Sequence, residues 1–362
     1  MITLDTTIQT PRQPRPICVV GAGGIVQDAH LPAYQKAGWP VTHLFDLDLQ
    51  KARLVADRFG IPNVAESLDD LLTQVPPNAV FDLAVPASAL AGLLPKLPKK
   101  ATVMIQKPFG ETIAEARHLL QICHDRQFTA SVNMQMKCIP AVIAAKNLID
   151  QGVIGELHDL EIRMTIYHPW QLWTFLFGIP RMEMLYHSIH YMDLLKYFLG
   201  MPRSVYANTT QHPKQMQLAS TRSVIIFDYD RPVRAFINTN HGHEFGLKHQ
   251  DSFIKWEGTG GAIKTTLGLN INFPEGVADT FEYVLLEAGK APEWQSAQLT
   301  GSWYPDAFVG SMADLLCFAE GSSDRHITSV DEALNTMLLV EAAYISSDSG
   351  GVPISSLTAK MT

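Results

Sequence analysis

The chain has 362 residues, 46% of them hydrophobic and 18% charged, with a formal net charge of −8. That length exceeds what one ordinary core uses, so two domains are expected. Scattered cations under a net negative charge argue against a nucleic-acid partner, which needs concentrated basic surface, and no apolar run approaches the ~18 residues of a membrane-crossing helix.

Residues 1–15, "MITLDTTIQTPRQPR", hold no apolar stretch of the kind a secretory signal carries; they are expected as a flexible arm, with a cytoplasmic location. Strand and helix then alternate. "PICVVG" (16–21), "VTHLFD" (41–46), "AVFDLAV" (79–85), "ATVMIQ" (101–106) and "TASVNM" (129–134) are apolar runs of strand length. Between them "HLPAYQKAG" (30–38), "LDLQKARLVADRFG" (47–60) and "TIAEARHLLQICHDRQ" (112–127) carry helical spacing. Apolar strands joined by helices predict a parallel sheet covered on both faces. After about residue 137 a helix, "PAVIAAKNLIDQG", leads into alternating strands at 156–168, 222–230, 233–241 and 251–258. Half-buried alternation predicts a large, mostly antiparallel open sheet. The expected architecture is a Rossmann dinucleotide-binding domain over 16–137 and an α+β domain over 138–362, with further helices at 306–320 and 331–346. Cys18, Cys123, Cys138 and Cys317 stand singly, as reduced buried thiols and not as disulfides or zinc pairs.

The turn "VVGAGGIVQDAH" places Gly21, Gly23, Gly24 and Ile25 between the first strand and the first helix. One glycine permits the tight turn, the next lets backbone approach a pyrophosphate, and the helix N-terminus supplies N–H donors. Val26 stands where a smaller residue is usual and should loosen helix–strand packing or shift the loop slightly. Asp46 ends the second strand, where a carboxylate takes the adenosine ribose hydroxyls and repels a 2′-phosphate, so NAD is expected over NADP. A glycine turn beside an ordinary surface aspartate is the bland alternative.

"TVMIQKPFG" (102–110) brings Lys107 to the carboxyl edge of the same sheet, where open α/β folds hold their ligands. A lysine partly out of water beside a cationic ring loses its proton near neutral pH; the alternative is a lysine snorkelling from a strand end. Further on, Tyr186, His190 and Asp193 fall at i, i+4 and i+7, one face of a helix. A histidine there has one nitrogen held while the other works, or is merely satisfied at a helix–sheet contact. Tyr186 would donate to substrate or, with its pKa lowered beside Lys107, act as acid/base. His187 and His190, with His241 and His243, suggest zinc as a minor alternative, but no H-E-x-x-H or cysteine pair supports it, so no metal is expected.

"IYHPWQLWTFLFGIPRMEM" (166–184) holds His168, Trp170 and Trp173, whose faces suit the C–H face of a sugar; a hydrophobic lid or subunit contact is as good a reading. Arg181 would take a substrate carboxylate. Asn133 and Gln135 follow the last parallel strand and would line the same crevice.

"VVGAGGI", "QKP" (106–108), "GVIGEL" (152–157), "SIHYMDLLKYFLG" (188–200) and "EGTGGAI" (257–263) together make the chain resemble, over nearly its whole length, the Gfo/Idh/MocA family of glucose–fructose oxidoreductase and inositol dehydrogenase. The resemblance implies an NAD(P)-dependent oxidoreductase acting on a CH–OH group of a sugar, polyol or sugar acid. It places the family lysine on Lys107, the proton-accepting histidine on His190 and the trailing aspartate on Asp193, with Pro86 and Gln106 beside the cofactor and His187 near substrate. Two positions depart: Gln106 stands for the family glutamate, and Tyr186 for its catalytic aspartate. Two alternatives stay open: transient oxidation by a tightly held NAD, serving epimerisation, elimination or glycoside cleavage, and a non-catalytic NAD-responsive regulator. The family also implies a homodimer or homotetramer through the C-terminal sheet.

Overall fold

Strands β1 (Ile17–Val20), β4 (Val80–Leu83) and β5 (Thr102–Ile105) are buried at every residue, as apolar runs without alternation require when both faces are covered. The computed structural model describes residues 4–351; residues 1–3 of the expected arm and 352–362 of the expected second domain lie outside it. With β2 (Val41–Phe45), β3 (Asn63–Val64) and β6 (Thr129–Val132), these strands form a six-stranded sheet in the order β3-β2-β1-β4-β5-β6, every neighbouring pair parallel. Helices α1 (Leu31–Ala37), α2 (Leu49–Phe59), α3 (Leu68–Gln74), α4 (Leu90–Leu93) and α5 (Ile113–Asp125) make the crossovers. Local chemistry sets their ends. Asp48, Ser67 and Thr112 accept a backbone N–H three residues on, and Gly38 and Gly60 close α1 and α2 in the left-handed conformation. The Rossmann reading holds.

After α6 (Pro140–Asp150) comes an eight-stranded sheet built from β7 (Leu157–Thr165), β8 (Ser204–Thr210), β9 (Arg222–Asp228), β10 (Arg234–Asn240), β11 (Asp251–Gly258), β12 (Gly261–Thr266), β13 (Thr280–Leu285) and β14 (Gln295–Ala297). Its order is β14-β13-β12-β11-β7-β10-β9-β8, antiparallel except where β10 pairs with β7. Ile162, Ile225, Phe227, Ile237, Ile254 and Trp256 point into one core with α7 (Ile189–Leu199). Val224, Ile226 and Tyr206 stay exposed on the outer face. Four of these strands, β8 and β12 to β14, go beyond those the sequence predicts.

The last two helices turn back on the first half. From α8 (Phe308–Ala319), Phe308, Met312, Ala313, Leu315 and Leu316 share a core with Ile17, Val19 and Val26. α9 (Val330–Ser349) packs on α5, α7 and β8, and Ser346 and Ser347 accept the free edge N–H groups of Ala207 (3.0 Å) and Thr209 (3.1 Å). The expected arm is tied down as well. Gln9 donates to the Ser322 carbonyl (2.8 Å), the Arg12 N–H to the Glu320 carboxylate (3.0 Å) and Arg15 to the Asn78 carbonyl (2.7 Å). Among the described residues no helix is long and apolar enough to cross a membrane.

Candidate active site

Gly21 has φ +105°, and a Cβ there would collide with the Ala84 carbonyl oxygen, so only glycine fits this turn. In front of Gly23 a Cβ would meet nothing within 4 Å, which leaves the backbone open to a pyrophosphate. Ile25 is half buried against the Rossmann core, and Val26 is fully buried. Instead of an α-turn the chain makes a π-turn over Val26–His30 before α1, with Val26 tightly packed and not loosening the contact. Asp46 reaches back to this loop: Oδ2 accepts the Ala22 N–H (2.7 Å) and Oδ1 the Asp48 N–H (2.9 Å), and Lys51 Nζ lies 3.0 Å away. Burial raises its pKa, but those N–H groups and the ammonium outweigh it and hold the carboxyl below its usual range. Three of a carboxylate's roughly four acceptor directions are thus used, leaving one for a ribose hydroxyl. Glycine spacing, open backbone and acidic strand end all suit NAD.

Lys107 leaves the end of β5 with its amide held by the Gln106 side chain (3.0 Å), and its Nζ donates to the Tyr186 carbonyl (2.6 Å). Burial brings the ammonium pKa down to about 8. One turn further, His190 is buried, and its Nδ1 has no hydrogen-bond partner among the described residues. Burial, then the Lys107 charge, pushes the imidazole well below its ordinary range. A neutral imidazole and a lysine poised to lose its proton therefore share one environment. Pro86 is exposed at the end of β4, beside β5 in the sheet.

The approach to α7 departs from the predicted helix face. Residues Glu183–Ser188 form a π-turn, so spacing through it is not the 3.6 residues of an α-helix. The Tyr186 ring swings out to Phe175 (5.8 Å between ring centres), and its hydroxyl lies 3.5 Å from Glu111 Oε1. Its pKa is not lowered beside Lys107: burial, then Glu111, pushes it up to about 12. Lys107 Nζ still lies 5.9 Å from the centre of the Tyr186 ring, and His187 packs among the rings of His168, Trp170 and His241. Burial, then His241, His168, Lys107 and His190, push that imidazole well below its usual range.

Around His187 lies a buried aromatic cluster. His168 stacks on Trp173 (4.7 Å) and packs against Trp170 (4.4 Å), and His187 sits 4.7 Å from His241. The His168 ring nitrogens, His241 Nδ1 and Trp170 Nε1 are buried without hydrogen-bond partners among the described residues. Burial, then His241, pushes the His168 pKa well below its ordinary range. His243, by contrast, points to the Lys248 carbonyl (3.2 Å), and among the described residues no group of three or more His, Cys, Asp or Glu side chains is placed to hold a metal ion.

Other predicted residues are engaged elsewhere. Arg181 makes a two-pronged ion pair with Glu341 (2.6 and 3.0 Å). Asp193 is buried against Lys137 (3.0 Å), Lys196 (3.5 Å) and Thr336 (2.7 Å). Asn133 bonds to His30 (3.3 Å) and Ser311 (2.7 Å), in a buried network that continues to Asp82 and Tyr34. Gln135 is buried, with no partner for Oε1 among the described residues. Sequence reasoning gave Glu183 no specific role and did not pair it with His241; β10 and the π-turn bring the two together over 58 residues of chain, which no local pattern reports.

Residues 16–134 match the oxidoreductase family with an NAD-binding Rossmann fold, and residues 142–264 match the GFO/IDH/MocA C-terminal domain. D-apiose dehydrogenase of Rhizobium rhizogenes is 21% identical over 86% of this chain and 89% of its own. Galactose 1-dehydrogenase of Pseudomonas fluorescens is 24% identical over 64% of this chain and 73% of its own. The structure of levoglucosan dehydrogenase in complex with NADH and levoglucosan superposes with a TM-score of 0.76 at 16% identity, over 93% of this chain and 98% of that one. Two matched domains in the right order, joined to a glycine loop that only glycine can make, place this chain in the Gfo/Idh/MocA family of oxidoreductases.

Proposed function

We propose that the chain is an NAD-preferring dehydrogenase that oxidises a hydroxyl of a neutral sugar or polyol. The bond from Lys107 Nζ to the Tyr186 carbonyl, four residues before the buried His190, whose Nδ1 is unpartnered among the described residues, supports this reading. Bound NAD supplies the hydride acceptor. Within the site, the neutral His190 accepts the hydroxyl proton, and Lys107 polarises the oxygen or takes the proton in its amine form. His168, Trp170 and Trp173 offer flat apolar faces with unmet polar atoms at their rims, which suits a ring of alternating C–H and O–H groups. Arg181 is already paired with Glu341 and burial keeps His168, His187 and His190 uncharged near pH 7, which leaves Lys107, engaged with the reacting hydroxyl, as the positive charge a sugar acid would meet. Asp46 favours NAD, since a 2′-phosphate would meet its carboxylate.

A panel of aldoses, polyols and aldonates, each with NAD and NADP and read by nicotinamide reduction, tests this. Neutral substrates with NAD should turn over fastest. Lys107→Ala and His190→Ala should lower kcat by ~10²–10⁴ and leave NAD affinity nearly intact. Turnover without NADH would replace net oxidation by a transient redox cycle, and NAD binding with no turnover would point to a regulator.

The same reading includes a homo-oligomer in which a second copy covers the outer face of the eight-stranded sheet at Tyr206, Val224 and Ile226, left 59%, 45% and 48% exposed. Ile226→Glu should shift the mass measured by light scattering toward a smaller species; an unchanged mass places the contact elsewhere.

A further inference from the structure

Between the loop that links β10 to β11 and the loop after β12 lies an open cavity of about 270 Å³, which the chemistry above leaves unused. Tyr167, Leu247 and Phe273 give it apolar walls, and His243, Gln250 and Asn272 give it polar ones. Local chemistry shapes it. Gln250 Oε1 accepts the Asn272 N–H (3.0 Å) and so ties the two loops together, which leaves its carboxamide N–H groups to donate. Asn272 is held at φ +57°, a conformation that asparagine tolerates better than most side chains. Glu244, also in the wall, is paired with Lys214, and among the described residues no lysine or arginine lines the cavity. Flat apolar walls with uncharged hydrogen-bonding groups between them suit a neutral ring of C–H and O–H groups, whereas a phosphate or carboxylate would find no cation in the lining. The volume is at the small end of ligand sites, with room for one ring and not for a whole two-ring molecule.

Direct contacts join this cavity to the candidate active site. Phe273 is one of its walls, and the same ring stacks on His168 (5.8 Å between centres, 17° between planes) and packs on Trp173 (5.4 Å). His168 in turn meets His187 (5.0 Å), and the carbonyl just before His187 is the one that holds Lys107 Nζ (2.6 Å). Lys107, Tyr186, His187, Trp173 and Phe273 are each half-buried, so a strip of partly open side chains leads from the lysine to the cavity. We propose that the cavity is a second sugar subsite, and that the substrate is a neutral glycoside or disaccharide. One ring is oxidised beside Lys107 and His190, and the other is held against Tyr167 and Phe273. This deepens the dehydrogenase reading and rests on it. The bond between the rings stays intact: the first ring alone gives up a hydride, to NAD, and a hydroxyl proton, to His190 or Lys107. The second ring contributes binding and takes no part in the chemistry.

The test offers the full chain, with NAD, glucose, galactose and xylose, each as the free sugar and as its α- and β-linked disaccharides. At least one disaccharide should exceed its free sugar about tenfold in kcat/KM, mainly through KM. Tyr167→Ala removes one wall. Gln250→Glu keeps the acceptor for the Asn272 N–H and removes the donor groups. Each should raise KM for that disaccharide about 3–10-fold and leave its kcat, and the KM of the free sugar, within about twofold. Equal kcat/KM for free sugars and disaccharides, or a loss in the variants that is the same for both, overturns the subsite and leaves the dehydrogenase reading in place. Saturation-transfer NMR with the same disaccharides gives a readout that needs no turnover. Protons of both rings should receive saturation from the wild-type chain, and those of the second ring should lose most of it in Tyr167→Ala. A wild-type chain that binds no disaccharide, a signal confined to one ring, or a signal unchanged in the variant sinks the proposal. A chain that oxidises no sugar yet shows the expected ring pattern loses the dehydrogenase reading and keeps the subsite.

Discussion

Lys107 shows how one side chain trades stability for chemistry. Its ammonium titrates at about 8 in the folded chain against an ordinary 10.5. Between those values the unfolded chain binds a proton that the native state does not, so stability rises with pH across that window, and the full burial cost is present below it. Lys107→Met should therefore stabilise the protein by about 1–3 kcal/mol at pH 7 in urea unfolding while abolishing turnover. At pH 10 most of that gain should vanish. A variant less stable than wild type at both pH values would show that the bond to the Tyr186 carbonyl outweighs desolvation.

Secondary structure is where legibility and error separate. All the parallel strands but the two-residue β3 were visible in the sequence as apolar runs, and Gly21 because its turn admits no Cβ. Strands β8 and β12 to β14 were not, since polar residues such as Asn208 and Lys264 interrupt their apolar pattern even though each pairs with a neighbour in sequence. Tyr186 was placed by counting α-helical turns through residues that adopt π geometry, so its hydroxyl, expected at the substrate, is found beside Glu111. Arg181 was misjudged for a different reason: Glu341 lies 160 residues away. Arg181→Ala should cost about 1 kcal/mol through loss of this partly exposed pair and of its packing on Tyr344. Its kcat/KM on a neutral sugar should stay within about threefold of wild type; a tenfold loss confined to acidic substrates would restore the carboxylate role.

At the scale of the molecule, the boundary expected at residue 137 divides the sequence more cleanly than it divides the core. Phe308, Met312, Leu315 and Leu316 complete the packing over β1 and the glycine loop. A fragment of residues 16–137 should therefore keep helical far-UV signal but lose near-UV structure and bind a hydrophobic dye. Cooperative unfolding of that fragment with near-native stability would show that α8 is dispensable to it.

The return of α8 to the first sheet also sets a schedule for a newborn chain. The glycine loop leaves the ribosome early, yet the apolar surface behind it is not covered until residues nearly three hundred positions later have emerged. At about 5–20 residues per second that delay is on the order of 15–60 s, an interval in which a chaperone is a natural companion for the half-finished cofactor fold.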